Sequence, residues 1–106
     1  MGVLTSLNGV STPGTAGTPK HLGQITAHHS MFVFTTLIPT ACEVRLEGSH
    51  DSTNWRTMGS VSFSGDTQAG CTTSPNNFLV SDVRAFLVRL EGPPGIAVTV
   101  TIASAD

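Results

Sequence analysis

The sequence has 106 residues, a length that corresponds to one domain with room for a single hydrophobic core. Hydrophobic side chains make up 39% of it and charged side chains only 11%, whereas about 25% charged is typical of soluble domains. This composition excludes a disordered chain, and the 5 scattered Lys and Arg residues exclude the basic stripe that binds nucleic acid. Apolar runs of about 18 residues are absent, so we expect no membrane partner.

The low charge has two interpretations. It suits a protein that works in constant contact with other proteins, because few surface charges oppose association. It is equally typical of a neutral, Thr-rich β domain.

The N-terminal residues differ in composition from the rest of the chain. A short apolar segment is followed by Asn8-Gly9, a strong turn signal, and residues 11–20 contain mostly Ser, Thr, Pro and Gly. We predict an N-terminal arm and loop over residues 1–24 and a β-sandwich domain over residues 25–106. Either the arm reaches a neighbouring subunit, or it is an edge strand followed by a long surface loop.

Strand signals become regular from residue 25. Residues 31–38 are β-branched and aromatic, and Pro39 ends that segment. Residues 42–47 alternate between apolar and charged side chains, which predicts a half-buried strand. Its core-facing residues would be Cys42, Val44 and Leu46, and its outward-facing residues Glu43, Arg45 and Glu47.

The second half of the chain continues the alternation. In residues 55–63 we place Trp55, Val61 and Phe63 on one face, with Trp55 anchored in the core. Residues 64–77 read as a polar loop around Cys71. Residues 78–80 read as a short strand and residues 83–91 as a longer one. In the last strand one side would carry Ile96, Val98, Val100 and Ile102, and the other Ala97, Thr99 and Thr101.

These elements together predict the fold class. No segment holds a helical period over three turns, and several strands recur at a spacing of about 10 residues. We therefore predict an all-β protein with a single antiparallel β-sandwich, either jelly-roll or Ig-like, and an extended N-terminal arm.

A short internal echo links two of the predicted strands. Residues 44–48 and 88–92 share the sequence Val-Arg-Leu-Glu-Gly. If the two strands are neighbours, their outward Arg and Glu side chains could pair across the sheet, each pair contributing about 0–1 kcal/mol.

The sequence carries no convincing catalytic or metal-binding constellation. Ser49-His50-Asp51 has the residue types of a hydrolase triad, but consecutive residues in a turn are expected to point apart. The four histidines (His21, His28, His29 and His50) lack convergent metal-ligand spacing. We therefore expect no catalytic residue, cofactor or metal, and we do not expect an enzyme.

The two cysteines have two interpretations. Cys42 and Cys71 lie beside predicted strands, so buried free thiols are favoured. A disulfide between them is the alternative.

The order of segments carries a resemblance to a known family. An N-terminal TSLNGVSTPGTAGTPKHLGQ leads to MFVFTT, then VRLEGSHDSTNWRTMGSVSFS, VSDVRAFLVRLEG and AVTVTIASA. This order resembles small capsid decoration, or cement, proteins of tailed bacteriophages, over nearly the whole chain. The resemblance implies a β-sandwich that binds the outside of the head shell, with the major capsid protein as its partner.

The same resemblance implies a place and an assembly. We expect synthesis in the host bacterial cytoplasm and a final position on the outer capsid surface of the virion. We also expect a homo-oligomer, with a trimer favoured over a dimer. A protein that binds the shell and not its separated subunits stabilises the assembled state by mass action.

We place the capsid or subunit contact in the N-terminal arm and one end or face of the sandwich. The candidate residues are Val3, Leu4, Leu7, Val10, Pro13, Pro19 and His21. On this hypothesis, deleting residues 1–20 should abolish shell binding and leave the sandwich folded.

Two other functions stay open. A carbohydrate-binding module on a tail or fibre would need exposed aromatic rings, whereas most aromatic residues here are predicted at core positions. A small hydrolase or metalloenzyme would need a constellation that the sequence lacks.

Overall fold

The protein is all-β, as predicted. The computed structural model describes residues 3–26, 28–72 and 79–105. Its strands are β1 (Val3–Val10), β2 (Lys20–Thr26), β3 (His28–Thr35), β4 (Ala41–Ser49), β5 (Trp55–Phe63), β6 (Gln68–Thr72), β7 (Val80–Glu91) and β8 (Val98–Ala105). Within these residues there is no helix long and apolar enough to cross a membrane.

The strands form two four-stranded antiparallel sheets that pack as a sandwich. The first sheet has the order β1-β8-β3-β6 and the second sheet the order β2-β7-β4-β5. The pairs β1/β8, β2/β7, β3/β6 and β4/β5 are nested around the β4–β5 hairpin. Eight strands in this nested order form a jelly roll, which decides between the two predicted sandwich types.

The core lies between the sheets and follows the predicted alternation. Cys42, Val44 and Leu46 are buried with exposures of 2% or less, because alternate residues of a strand point to the same side. The apolar set of β8 is buried in the same way: Ile96 just before the strand, then Val98, Val100 and Ile102.

A β-bulge reverses the predicted face of Trp55. The β4–β5 register shifts between Leu46 and Glu47, so one extra residue of β5, Met58, enters the core. Val61 and Phe63 do pack against the core, whereas Trp55 lies on the outer face. The sequence placed all three on one side because alternation alone cannot detect an inserted residue.

Strand β6 was not predicted. Gln68-Ala69-Gly70-Cys71-Thr72 is rich in residues with low β propensity, yet it pairs along β3 from Ser30↔Thr72 to Phe34↔Gln68. The remainder of the predicted loop, residues 73–77, and Phe78 of the predicted short strand lie outside the described residues. Val80 of that short strand begins β7.

The structure places the predicted arm within the two sheets. Residues 3–10 form β1 at the edge of the first sheet, and residues 20–26 form β2 at the edge of the second. Between them, Gly14 and Gly17 donate N–H bonds to the carbonyls of Leu87 and Ala85. This connection therefore covers the part of the β7 edge that β2 does not reach. Deleting residues 1–20 would remove that cover and an edge strand.

Ser6 ties this edge of the sandwich together. Its Oγ accepts the Ala85 amide at 2.8 Å and donates to the Thr18 carbonyl at 2.9 Å. Its backbone carbonyl accepts the Thr18 amide at 2.7 Å. A Cβ on Gly17 would lie 2.3 Å from Ser6 Oγ, so only glycine fits where the chain crosses between the sheets.

We predict that Gly17→Ala destabilises the protein. The added methyl group must displace the Ser6 hydroxyl from its bonds, and overpacking of this kind costs about 1–3 kcal/mol of unfolding free energy. Chemical denaturation with urea measures the change. The control is Gly59→Ala, whose Cβ would meet no atom nearer than 3.8 Å; an equal loss in both variants would contradict the role assigned to the Ser6 contact.

Candidate docking face

The two sheets differ in charge. No strand of the first sheet, as the structure describes it, contains Asp, Glu, Lys or Arg. The strands of the second sheet contain Lys20, Glu43, Arg45, Glu47, Arg56, Asp82, Arg84, Arg89 and Glu91. The charged residues of the described strands therefore all lie in the second sheet, and the strands of the first sheet carry no Asp, Glu, Lys or Arg.

The outer side of the first sheet forms one continuous neutral surface. The cross-strand registers place Thr5, Thr101, Phe32 and Gly70 in one row. We call this surface the charge-free face; it consists of Val3, Thr5, Ser30, Phe32, Phe34, Gln68, Gly70, Thr72, Thr99, Thr101 and Ala103. His28 lies at its end and is the titratable residue nearest to it on β3.

Two phenylalanine rings project from this face. Phe32 is 56% exposed and Phe34 is 40% exposed, and their centroids are 6.4 Å apart in an edge-to-face arrangement. A Cβ on Gly70 would lie 3.1 Å from the Phe32 ring, so the glycine lets that ring lean across β6. With Gln68 and Ala69 these residues line a groove of about 280 Å³.

The prediction that most aromatic residues are in the core was wrong. Phe32 and Phe34 lie on the charge-free face, and Trp55 and Phe86 lie on the outer side of the second sheet, where Arg84 and Arg45 cover them. The β3 sequence is apolar on both sides of the strand, so its alternation could not reveal which set faces out. These exposed rings are the feature of the candidate face that the sequence did not predict.

Four charged residues on the outer side of the second sheet form ion pairs within the chain. Arg84 Nε donates to Glu47 Oε1 at 2.8 Å, and the Arg84 guanidinium lies 4.2 Å from the Trp55 ring centroid. Arg89 pairs with Glu91. The echo strands β4 and β7 are indeed neighbours, but their cross-strand ion pair joins Glu47 of the first repeat to Arg84, which lies outside the second.

The predicted contact residues are divided between the sheets. Val3 is exposed on the charge-free face. Leu7 is 1% exposed and belongs to the core, and Leu4 and Val10 are partly buried against it. Pro13 and Pro19 are exposed in the connection between β1 and β2.

His21 lies on β2, in the other sheet, where its Nδ1 meets Asp82 Oδ1 at 2.6 Å. Asp82 is 1% exposed, so this contact supplies a partner for a buried carboxyl group. The structure therefore brings Val3 into a surface with Phe32 and Phe34, and it does not bring the seven predicted residues together.

The Ser49-His50-Asp51 side chains do not form a triad arrangement. Ser49 Oγ donates to Asp51 Oδ1 at 3.0 Å, whereas His50 Nε2 contacts the Leu79 carbonyl at 2.7 Å. The expectation that all three point apart holds for His50 and is wrong for Ser49 and Asp51. These two side chains organise the β4–β5 turn.

Asp51 holds that turn through its carboxylate. Its Oδ1 accepts the amides of Asn54 at 2.8 Å and Thr53 at 2.9 Å, and Oδ2 accepts the Asn54 side-chain amide at 2.7 Å. These donors, the Asn54 backbone amide first among them, hold the pKa of Asp51 well below its usual range.

The remaining histidines are consecutive residues of β3, and the cysteines lie on β4 and β6. His29 is buried, with Nδ1 2.7 Å from Ser104 Oγ, and His28 is exposed. Within the described residues there is no group of three or more His, Cys, Asp or Glu side chains that could hold a metal. Cys42 and Cys71 are free thiols, and burial raises the pKa of Cys42 to about 11.

We predict that Asp51→Asn lowers stability in a pH-dependent way. Because the pKa of Asp51 is lower in the folded state than its unfolded value of about 3.9, the carboxylate stabilises the fold above about pH 4, and this stabilisation is lost as the pH falls further. The difference in urea midpoint between wild type and variant should be largest near pH 6 and shrink below about pH 4. A difference that is constant with pH would contradict the assignment; Asp66→Asn, in another turn, is the control.

The protein resembles solved structures in its fold, whereas the sequence comparisons find no match. No protein-family model matches the sequence, and no curated protein is significantly similar to it. Among solved structures, the SPBc2 prophage-derived protein YomS superposes with a TM-score of 0.60 at 11% identity, over 98% of this chain and 92% of that one. PirA superposes with a TM-score of 0.54 at 13% identity, over 98% and 92%.

A third similar structure is a much larger protein. The family 89 glycoside hydrolase from Clostridium perfringens, in complex with PUGNAc, matches with a TM-score of 0.63 at 12% identity. The match covers 100% of this chain and only 14% of the hydrolase. The likeness is one of fold. At these identities, a shared fold does not determine a shared function.

Proposed function

We propose that this protein is a bacteriophage virion protein that binds the outer surface of the capsid and stabilises the head shell. The charge-free face would contact the major capsid protein, after synthesis in the bacterial cytoplasm. The observation that carries the proposal is the separation of charge between the two sheets. Similarity in fold to a prophage-derived protein of nearly the same length supports it.

The charge-free face has the properties of a surface that becomes buried. Charged groups are depleted at the core of protein interfaces and aromatic groups are enriched there, and Phe32 and Phe34 are the large exposed side chains at its centre. Docking this face would strip water from no Asp, Glu, Lys or Arg side chain. It therefore avoids the desolvation penalty of buried charge.

The second sheet has the properties of a surface that stays in water. Arg84 pairs with Glu47 and Arg89 with Glu91 within the chain, so these charges need no oppositely charged partner. A sandwich with one adhesive and one solvated face suits a protein that coats a shell from outside. The shell gains stability because the bound state exists only when the capsid is assembled.

We predict that Phe32→Ser weakens binding to shells assembled from the major capsid protein of the same phage. Burial of a phenylalanine contributes about 1.5–3 kcal/mol, so the loss of affinity should be roughly tenfold to a hundredfold. Co-sedimentation with shells measures it. Phe86→Ser removes an aromatic ring from the other face and is the matched control.

Two outcomes contradict the proposal. Wild-type protein that does not sediment with shells would overturn the capsid function. Equal losses for Phe32→Ser and Phe86→Ser would overturn the assignment of the face.

One observation favours a second candidate, a carbohydrate-binding module of a tail or fibre. The groove between Phe32, Phe34 and Gln68 combines two exposed rings with one amide, and it carries no charge. Aromatic faces that pack on sugar rings, with a few polar groups for orientation, are typical of such sites.

A glycan array tests this candidate. Selective signals that disappear in Phe34→Ala, from protein that does not sediment with shells, would favour the sugar-binding function. Uniformly weak signals from wild-type protein would exclude it for the glycans present.

A further inference from the structure

The Asn8-Gly9 pair occupies a β-bulge at the edge of the first sheet. The β1–β8 register shifts between Leu7 and Val10, so Asn8 and Gly9 together oppose Thr99 alone on β8. In a bulge the extra residue is left out of the regular ladder of strand pairing. The sequence indicated a turn at these two residues, and the structure shows instead an irregularity inside an edge strand.

Gly9 leaves its backbone amide accessible to the side chain of Asn8. Both residues are exposed. Gly9 has a φ of 64°, and a Cβ built on it would meet no atom within 4 Å. A side chain on the residue after an asparagine hinders the approach of that residue's amide nitrogen to the asparagine side chain, and glycine has none. The Asn8 side chain therefore lies next to an unhindered backbone nucleophile.

We propose that Asn8 is a site of spontaneous covalent modification, in which its side-chain amide is converted to a carboxylate. The Gly9 backbone nitrogen loses its proton to solvent and attacks Asn8 Cγ. A bond forms between the Gly9 nitrogen and Cγ, the Cγ–Nδ2 bond breaks, and ammonia leaves. Water then opens the resulting succinimide at either of its carbonyl carbons. The product is aspartate or isoaspartate at position 8, and no oxidant or reductant takes part.

The hydroxyl of Thr99 sets the pace of this reaction in the folded protein. The Gly9 N–H donates to Thr99 Oγ1 at 3.2 Å, and the contact is exposed. This distance is at the long end of N–H···O hydrogen bonds, so the bond restrains the amide nitrogen without locking it. Because the bond must break before the nitrogen can attack, its loss should make the reaction faster.

Asn54 provides a comparison within the same chain. It is exposed like Asn8, but Trp55 follows it, and a large side chain at that place hinders attack. The Asn54 side-chain amide donates to Asp51 Oδ2 at 2.7 Å, and its backbone amide donates to Asp51 Oδ1 at 2.8 Å. These bonds hold Asn54 in the β4–β5 turn. We therefore expect Asn54 to keep its amide while Asn8 loses its own.

The charge that this reaction creates would lie beside the charge-free face. The described strands of the first sheet carry no Asp, Glu, Lys or Arg, and Thr99, which belongs to that face, lies opposite the bulge. A carboxylate at the margin of an interface is partly desolvated when the interface forms, which opposes docking. The modification does not depend on the proposed function, whereas this effect rests on it: binding to the shell would weaken as the protein ages.

Peptide mass spectrometry tests the modification in the full chain. Folded protein is kept in warm, mildly alkaline buffer, where the backbone amide loses its proton more readily. Trypsin then separates Asn8, in residues 1–20, from Asn54, in residues 46–56. We expect the peptide with Asn8 to gain the mass that exchange of an amide for a carboxyl group adds, in aspartate and isoaspartate forms, severalfold sooner than the peptide with Asn54. Equal persistence of both amides would overturn the proposal.

A substitution at Thr99 tests the role of its hydroxyl. Thr99→Val keeps the shape of the side chain and removes the acceptor, so Asn8 should react about twofold to tenfold faster, as the loss of one ordinary hydrogen bond predicts. Thr101→Val, on the same strand and face, is the matched control and should leave the rate unchanged. Both variants should keep the β-sheet spectrum in circular dichroism. Equal rates in the two variants would contradict the role assigned to Thr99.

Failure of the modification and failure of the capsid function are distinguishable. Asn8→Asp supplies the product charge directly and should bind shells roughly tenfold more weakly than wild type in co-sedimentation. Ser60→Asp adds the same charge to the outer side of the second sheet, opposite Arg45, and should bind as wild type does. Equal binding by Asn8→Asp and wild type would overturn the effect on docking.

The two remaining outcomes each contradict one proposal. Wild-type protein that loses its Asn8 amide but does not sediment with shells would contradict the capsid function alone. Wild-type protein that sediments with shells but keeps its Asn8 amide as long as its Asn54 amide would contradict the modification alone.

Discussion

The closure of one edge of the sandwich depends on the contact between Ser6, Gly17 and Ala85. Here the chain leaves the first sheet, crosses to the second and covers the β7 edge, and the Ser6 hydroxyl bonds to both sides of the crossing. The absence of a side chain at Gly17 makes the approach sterically allowed. Because Leu7 follows directly and enters the core, the N-terminal segment is a structural part of the sandwich.

A sandwich closed in this way has two outer faces that can evolve separately. In this protein the two faces differ strongly in charge. The second sheet carries two internal ion pairs, and the described strands of the first sheet carry no Asp, Glu, Lys or Arg. Rigid sheets keep Phe32 and Phe34 in fixed positions, so the proposed docking face would need little ordering on binding. Binding through it would then lose less free energy to conformational entropy than binding through a flexible arm.

The alternation of residues was enough to predict most of the core but only part of the candidate site. It predicted Cys42, Val44 and Leu46 correctly because each lies in a regular strand with one polar side. It misplaced Trp55, because one extra residue at Met58 reverses the order of faces. It also missed the exposure of Phe32 and Phe34, because both sides of β3 are apolar, and it missed β6, whose pairing depends on a distant strand.

Composition and local two-residue periodicity account for the all-β class, the single core and the scarcity of charge. The jelly-roll order, the gathering of the charged residues of the described strands into one sheet, and the incorporation of the N-terminal segment into both sheets emerge only in the tertiary fold. Those features depend on which strands become neighbours. Neighbours such as β1 and β8, or β2 and β7, are far apart in sequence, and their pairing is set by packing of the whole core.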